Sequence, residues 1–186
     1  MKISLGYSLL ELLVSLTILA VLSATALPAI AKLIQSEGQI SASYGLINDI
    51  NWARQAAVSY QRKITYCGSN DGEHCSKTWS KMTLTFINND NDNKTLGEED
   101  QLLNSRRAKK DRTLFSWRAF KNKSYLVFLP NGFTDYQNGS FTLCPFDKNV
   151  SHAKQIILNT AGRTRFARDT DNNGVVNDAN GDDLAC

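Results

Sequence analysis

Gly6-Tyr7-Ser8-Leu9-Leu10-Glu11-Leu12-Leu13, close to the N-terminus, decides how the rest of the chain is read. It leads into a run from Leu12 to Ala31 that holds no charged residue. About twenty helical residues at a rise of ~1.5 Å span roughly 30 Å, the thickness of a bilayer core. A secretory signal peptide would also have this profile, with Lys2 as its basic start and a cut after Ala26 or Ala31, each the end of a small-x-small triplet. Glu11 argues against that reading. A carboxylate near the centre of an apolar helix costs about 2.5–3.5 kcal/mol on insertion scales, so it persists where it has a task.

The stretch around Gly6 resembles the processing site of prepilins of type IV pili and type II secretion systems. The resemblance implies a short leader, residues 1–6, cut after Gly6 by prepilin peptidase, N-methylation of the new N-terminal Tyr7, and Glu11 as the fifth mature residue. It also implies a helix kink at Pro28, about twenty-two residues into the mature chain. Tyr7 stands where the family more often has Phe, and Lys2 is the one basic residue of the leader. Physically, a Glu11 buried in a helix bundle can be neutralised by the amino terminus of a neighbouring subunit, which would set axial register.

Past Lys32 the apolar residues become one-sided. Ile40, Tyr44, Ile47, Ile50 and Ala57 recur near a 3.6-residue period, with Gln39, Ser43, Asn48, Asp49 and Arg54 between them. One long helix from about Ser8 to Tyr60 is expected, bent at Pro28, which removes a helical hydrogen bond and crowds the preceding turn. Residues 7–31 would be its membrane or filament-core half and residues 32–61 its amphipathic half, lying against a globular domain of residues 62–186. In that domain the period switches to two. Ile64–Cys67, Met82–Phe86, Thr113–Phe115, Tyr125–Leu129, Phe141–Cys144, Gln155–Leu158 and Arg163–Ala167 read as short, mostly antiparallel strands between Asn, Gly and Asp turns.

The same region extends the resemblance. Cys67 to Cys75 with Trp79, Phe128-Leu129-Pro130-Asn131-Gly132, Phe141-Thr142-Leu143-Cys144 and Ile156-Ile157-Leu158-Asn159 leading to Gly162-Arg163-Thr164-Arg165 are similar to the GspH/FimT group of minor pilins and pseudopilins, FimT and FimU among them. The implied fold is α+β and type IV pilin-like: a long kinked N-terminal helix packed on a β-sandwich. The implied function is that of a minor pilin placed near the tip of a type IV pilus to promote assembly, or alternatively of a GspH-like pseudopilin in a type II secretion system. Its partners would be other major and minor pilins and prepilin peptidase. Its place would be the inner membrane, with the C-terminal domain periplasmic, and then the pilus or pseudopilus.

Composition agrees with a folded domain outside the cytosol. The 186 residues are 42% hydrophobic and 21% charged, which excludes a disordered chain. A formal charge of +3 is too mild to name a nucleic-acid binder, so such a case needs local clusters. Cys67, Cys75, Cys144 and Cys186 are even in number with no CxxC spacing, which favours disulfides, and four cysteines allow three pairings. Pairing 67 with 75 and 144 with 186 is favoured, because near thiols flanking a Gly-Asp turn meet easily and a terminal cysteine suits tying down a tail. A zinc site at Cys67, His74 and Cys75 fits poorly, since adjacent residues of an extended chain point apart.

Two basic clusters stand out: Arg106, Arg107, Lys109, Lys110 and Arg112, read as a loop, and Arg163, Arg165 and Arg168. Along an extended strand Arg163 and Arg165 share a face and form a fork suited to phosphate oxygens. In FimT-like proteins a C-terminal Gly-Arg-x-Arg is associated with DNA capture in natural transformation, and residues 162–165 match it. The resemblance therefore implies salt-sensitive, sequence-independent binding of duplex DNA at Arg163, Arg165 and Arg168, assisted by the 106–112 cluster. Asp169, Asp171 and Asn173, with Gly174 in the sixth position, repeat the first half of a calcium loop. Asn180 replaces the bidentate Glu at the twelfth position, where Asp178, Asp182 or Asp183 would have to substitute. No cofactor is expected otherwise. His74 and His152 lie in turns without a nucleophile or paired carboxylate, and a non-enzyme is expected.

Overall fold

The computed structural model describes residues 8–107 and 113–186. The leader, Gly6 and Tyr7 lie outside the described residues, as do Lys109, Lys110 and Arg112. The chain divides into two compact units, residues 1–37 and 38–186.

Helix α1 spans Leu9–Tyr60. Ser8 caps it: its hydroxyl accepts the Glu11 amide at 3.2 Å, so Ser8 and Glu11 occupy the Ser-x-x-Glu positions of a helix start. Leu9–Leu27, with mean hydropathy 2.1, is long and apolar enough to cross a membrane. Ser15, Thr17, Ser23 and Thr25 each return their hydroxyl to a carbonyl three or four residues back, at 2.8–3.0 Å. Those hydroxyls therefore bring no unsatisfied donor into lipid. Pro28 lies inside α1, which continues past it.

In the second unit, Gln39, Ser43, Leu46, Ile50, Ala53 and Ala57 are buried, a stripe at near-perfect helical spacing. This corrects the apolar face read from the sequence: Tyr44 is 56% exposed and lies edge-on to Phe166 with ring centroids 5.5 Å apart. Gln39 and Ser43 occupy buried positions because their donors are satisfied. Gln39 Nε2 donates to Thr113 Oγ1 at 3.0 Å, and Ser43 Oγ donates to the Gln39 carbonyl at 2.8 Å.

Among the described residues nine strands follow: β1 (Ile64–Ser69), β2 (Cys75–Ser76), β3 (Met82–Ile87), β4 (Gln101–Arg107), β5 (Thr113–Ala119), β6 (Tyr125–Phe128), β7 (Gly139–Pro145), β8 (Lys154–Leu158) and β9 (Thr164–Phe166). All pairings are antiparallel. The first sheet runs β2-β1-β3-β4, with β6 also on β1; the second runs β5-β7-β8-β9. The core takes both faces of the first sheet, Tyr66, Leu126 and Phe128 on one and Leu84, Phe86 and Val127 on the other, and one face of the second, Trp117, Phe141, Leu143, Ile156 and Leu158. Trp79 joins them, 5.3 Å from the Tyr66 ring and 4.9 Å from that of Phe141. Fully burying one such aromatic stabilises the fold by about 2–3 kcal/mol.

Two strands were not legible from the sequence. β2 is two residues long. β4 is an edge strand, paired only with β3, and along it only Leu103 is half-buried, so no apolar alternation is required. Arg106 and Arg107 therefore belong to a strand and not to a loop. The structure contains disulfides Cys67–Cys75 and Cys144–Cys186.

Candidate functional site

The β8–β9 hairpin carries the Gly-Arg-Thr-Arg sequence, and its turn, residues 159–163, is closed by three bonds. Gly162 N donates to the Asn159 carbonyl at 3.0 Å, Asn159 N to the Arg163 carbonyl at 3.1 Å, and Arg163 N to Asn159 Oδ1 at 2.9 Å. The Pro130-Asn131-Gly132 stretch builds a matching turn: Gly132 N donates to the Leu129 carbonyl and Leu129 N to the Phe133 carbonyl, both at 2.8 Å. Both glycines have positive φ, +78° at Gly132 and +71° at Gly162, which L side chains rarely adopt.

The twin turns touch. Thr134 N and Oγ1 both donate to the Thr160 carbonyl, at 2.9 and 3.2 Å. Arg54, from α1, donates Nε to the Gly132 carbonyl at 2.9 Å. A β-carbon on Gly162 would stand 2.7 Å from that same carbonyl oxygen and 3.1 Å from the Arg54 side chain. The helix thus holds the 129–133 turn through one guanidinium, and the hairpin rests on that turn through the Thr134–Thr160 bonds, a role for Arg54 the sequence reading did not assign.

On this anchored hairpin the arginines point outward. β9 pairs Ile156 with Phe166, Ile157 with Arg165 and Leu158 with Thr164. Phe166 lies on the Tyr44 side, so Arg165 faces the other way. Arg163 sits one residue before the strand, and Arg168 two residues after it, where its carbonyl accepts Asn177 N at 3.1 Å. Arg163, Arg165 and Arg168 are exposed, and none makes an ion pair among the described residues.

The other cluster is arranged differently. Arg106 Nη2 meets Asp49 Oδ2 at 2.6 Å, and the Tyr66 hydroxyl donates to the same carboxylate oxygen at 3.4 Å. Burial raises the Asp49 carboxyl above its usual range, partly offset by the Arg106 guanidinium and the Tyr66 hydroxyl. Burial likewise raises the Tyr66 hydroxyl, with the Asp49 charge adding to it. Arg106 is therefore committed to holding β4 to the helix, at the mouth of a cleft of about 290 Å³ that Leu46, Trp79 and Phe115 help to line.

The tail is held by its own polar side chains. Asp169 accepts Gly174 N at 2.8 Å and Asn172 N at 2.7 Å, and these backbone donors, Gly174 first, hold its carboxyl below the usual range. Asn173 Nδ2 reaches Asp171 Oδ2 and both carboxylate oxygens of Asp183, each at 3.0 Å. Of the three aspartates that could stand in for the missing Glu, Asp183 is the one bonded to Asn173. Among the described residues no group of three or more His, Cys, Asp or Glu gathers as a metal set. His74 Nδ1 lies 2.8 Å from Asp71, and the Ser151 hydroxyl is bonded to Asn149 and not to His152.

Comparison with known proteins covers most of the chain. The prokaryotic N-terminal methylation motif matches residues 1–27, and the family described as type II transport protein GspH matches residues 43–162, ending just before the arginines. No curated protein sequence matches. Two crystal forms of the type IV minor pilin FimU of Pseudomonas aeruginosa superpose with TM-scores of 0.51 and 0.52, both at 20% identity. They cover 68% and 69% of this chain and 90% and 87% of their own. The minor pseudopilin EpsH from the type 2 secretion system of Vibrio cholerae superposes at 0.49 with 8% identity, over 69% of this chain and 94% of its own. An N-terminal methylation motif, an apolar helix of membrane-spanning length and the GspH match over most of the globular domain lead to one conclusion: the chain belongs to the GspH family of minor pilins and pseudopilins.

Proposed function

We propose that this protein is a structural, non-enzymatic minor pilin of a type IV pilus that also contacts duplex DNA through its β8–β9 hairpin. It is cut after Gly6 and methylated on Tyr7, held in the inner membrane by the first part of α1, and then incorporated near the pilus tip, where it promotes assembly. Glu11 sets register with a neighbouring subunit. The likeness to FimU supports the pilus reading at the level of the fold.

The observation that carries the DNA contact is the state of Arg163, Arg165 and Arg168: exposed, free of acidic partners among the described residues, and presented by a hairpin whose turn rests on one that the helix holds. Unpaired guanidiniums neutralise phosphates and release counterions without reading sequence. No cofactor is needed for that contact.

The test is binding of duplex DNA by the full processed chain in detergent at about 50 and 200 mM salt, with Arg163→Ala/Arg165→Ala alongside. Binding that weakens steeply with salt and is lost in the variant supports the reading. Equal binding by both proteins removes it. A second reading, a pseudopilin of a type II secretion system, is favoured by the GspH match itself. Under that reading the native chain does not bind DNA at either salt, and its deletion blocks protein export.

A further inference from the structure

The registers of the second sheet bring together residues far apart in sequence. Arg118 pairs with Ser140, Ser140 with Ile157, and Ile157 with Arg165. These four form one cross-strand row, running from β5 at one edge to β9 at the other. The neighbouring row, Trp117, Phe141, Ile156 and Phe166, is the core one, so Arg118 and Arg165 share the outer face. Both are exposed, and neither has an acidic partner among the described residues. Three interstrand steps of about 4.8 Å separate their backbones by about 14 Å.

Resting on the DNA reading above, we propose that Arg118 and Arg165 straddle a groove of duplex DNA, each on a different phosphate line, with the outer face of the second sheet between them. The spacing is compatible with two lines. The lines bordering the major groove stand about 12 Å apart, close to the about 14 Å between the two backbones, and comparison of duplex with single-stranded DNA separates this contact from one along a single strand. Ser140 and Ile157, half-buried between the two arginines, carry no charge themselves. The row holds no aromatic on which a single-stranded base could stack, and exposed Phe120 lies past the end of β5.

The acidic tail borders the groove in which Arg118, Ser140 and Ile157 lie. Asp178 and Asp183 contribute to that lining, and the end of the tail is tied by Cys186 to Cys144, whose partner across the sheet is Leu114. That row is four residues along β5 from Arg118, about 13 Å.

The experiment is the salt dependence of duplex binding by the full chain in detergent, comparing native protein, Arg118→Gln, Arg118→Lys, Arg163→Ala/Arg165→Ala and Arg62→Gln. Arg62 is a charge control on the first sheet's side, bonded to Asn89. Loss of one phosphate contact lowers the log-log salt slope by about 0.9, which is a loss of about fifteenfold in affinity at 0.05 M salt and about fourfold at 0.2 M. Arg118→Gln is expected to show that loss, Arg118→Lys to restore the slope, and Arg62→Gln to leave it unchanged. If Arg118→Gln binds as native while the hairpin variant fails, the straddling geometry is wrong and the hairpin reading stands. Single-stranded DNA bound as tightly as duplex, with the same Arg118 dependence, overturns the two-line contact. Absence of any duplex binding by the native chain removes the DNA reading and this inference with it.

Discussion

Gly132 and Gly162 occupy equivalent corners of two matching turns, and the carbonyl of the first stands 2.7 Å from where a β-carbon of the second would be. The same carbonyl accepts Arg54 Nε at 2.9 Å. The space that lets the two turns and the helix converge is therefore the missing side chain of Gly162.

Gly162→Ala is expected to destabilise the domain by about 2 kcal/mol or more, since positive φ is costly for alanine and the new methyl meets backbone. Gly132→Ala is expected to cost less, because its β-carbon would meet only the side chains of Val58 and Arg54, at 3.2 and 3.3 Å. Urea denaturation of the two variants checks the order, and equal losses would contradict it.

Arg54→Ala leaves the Gly132 carbonyl without its guanidinium donor and should cost about 1–2 kcal/mol. The readout specific to an anchor is local: amide hydrogen exchange at Gly132, Gly162 and Arg163 should accelerate more than exchange in β1 or β7.

Stability should fall on the acid side partly through Asp71. Its carboxyl accepts the backbone amides of His74 and Glu73 at 2.9 and 3.0 Å, with the His74 amide as the largest cause, and these hold it well below the usual carboxylate range. A depressed folded-state pKa contributes stability that is present above about pH 4, the unfolded value, and is lost as pH falls toward the folded one. Asp71→Asn should therefore flatten the decline of the urea midpoint between about pH 5 and pH 2.5. An unchanged slope would assign that limb to other carboxylates.

Removing the Cys144–Cys186 bridge, with both residues changed to Ser, should cost up to about 4 kcal/mol on the chain-entropy account for a separation of 42 residues. Limited proteolysis should then cut within residues 169–185 while the two sheets stay protected. Protection of the tail in that variant would credit its own hydrogen bonds, such as Asn177 Oδ1 accepting Thr170 N at 2.6 Å, with holding it.

What was legible in the sequence was what local pattern carries. A charge-free run followed by a 3.6-residue period announces α1, and period-two stretches between Asn-Gly turns announce the inner strands, because each encodes its burial within a few residues. β4 escaped because an edge strand with one half-buried residue has no such code. Gln39 and Ser43 read as solvent-side because their polarity hides that Thr113, on a distant strand, accepts the glutamine's Nε2.

The candidate site divides along the same line. The sequence by itself determined that an apolar helix with a prepilin-type start precedes a β domain, and that arginines follow Gly162. Only the tertiary structure decided which arginines are free and how they align. Arg106 looks as available as Arg165 in sequence, yet Asp49 claims it from the helix, while Arg118 lies past the expected end of the Thr113–Phe115 strand and comes into one row with Arg165. Pairing between strands is set by register across the sheet and by which faces the core takes. Neither is contained in any short stretch of chain.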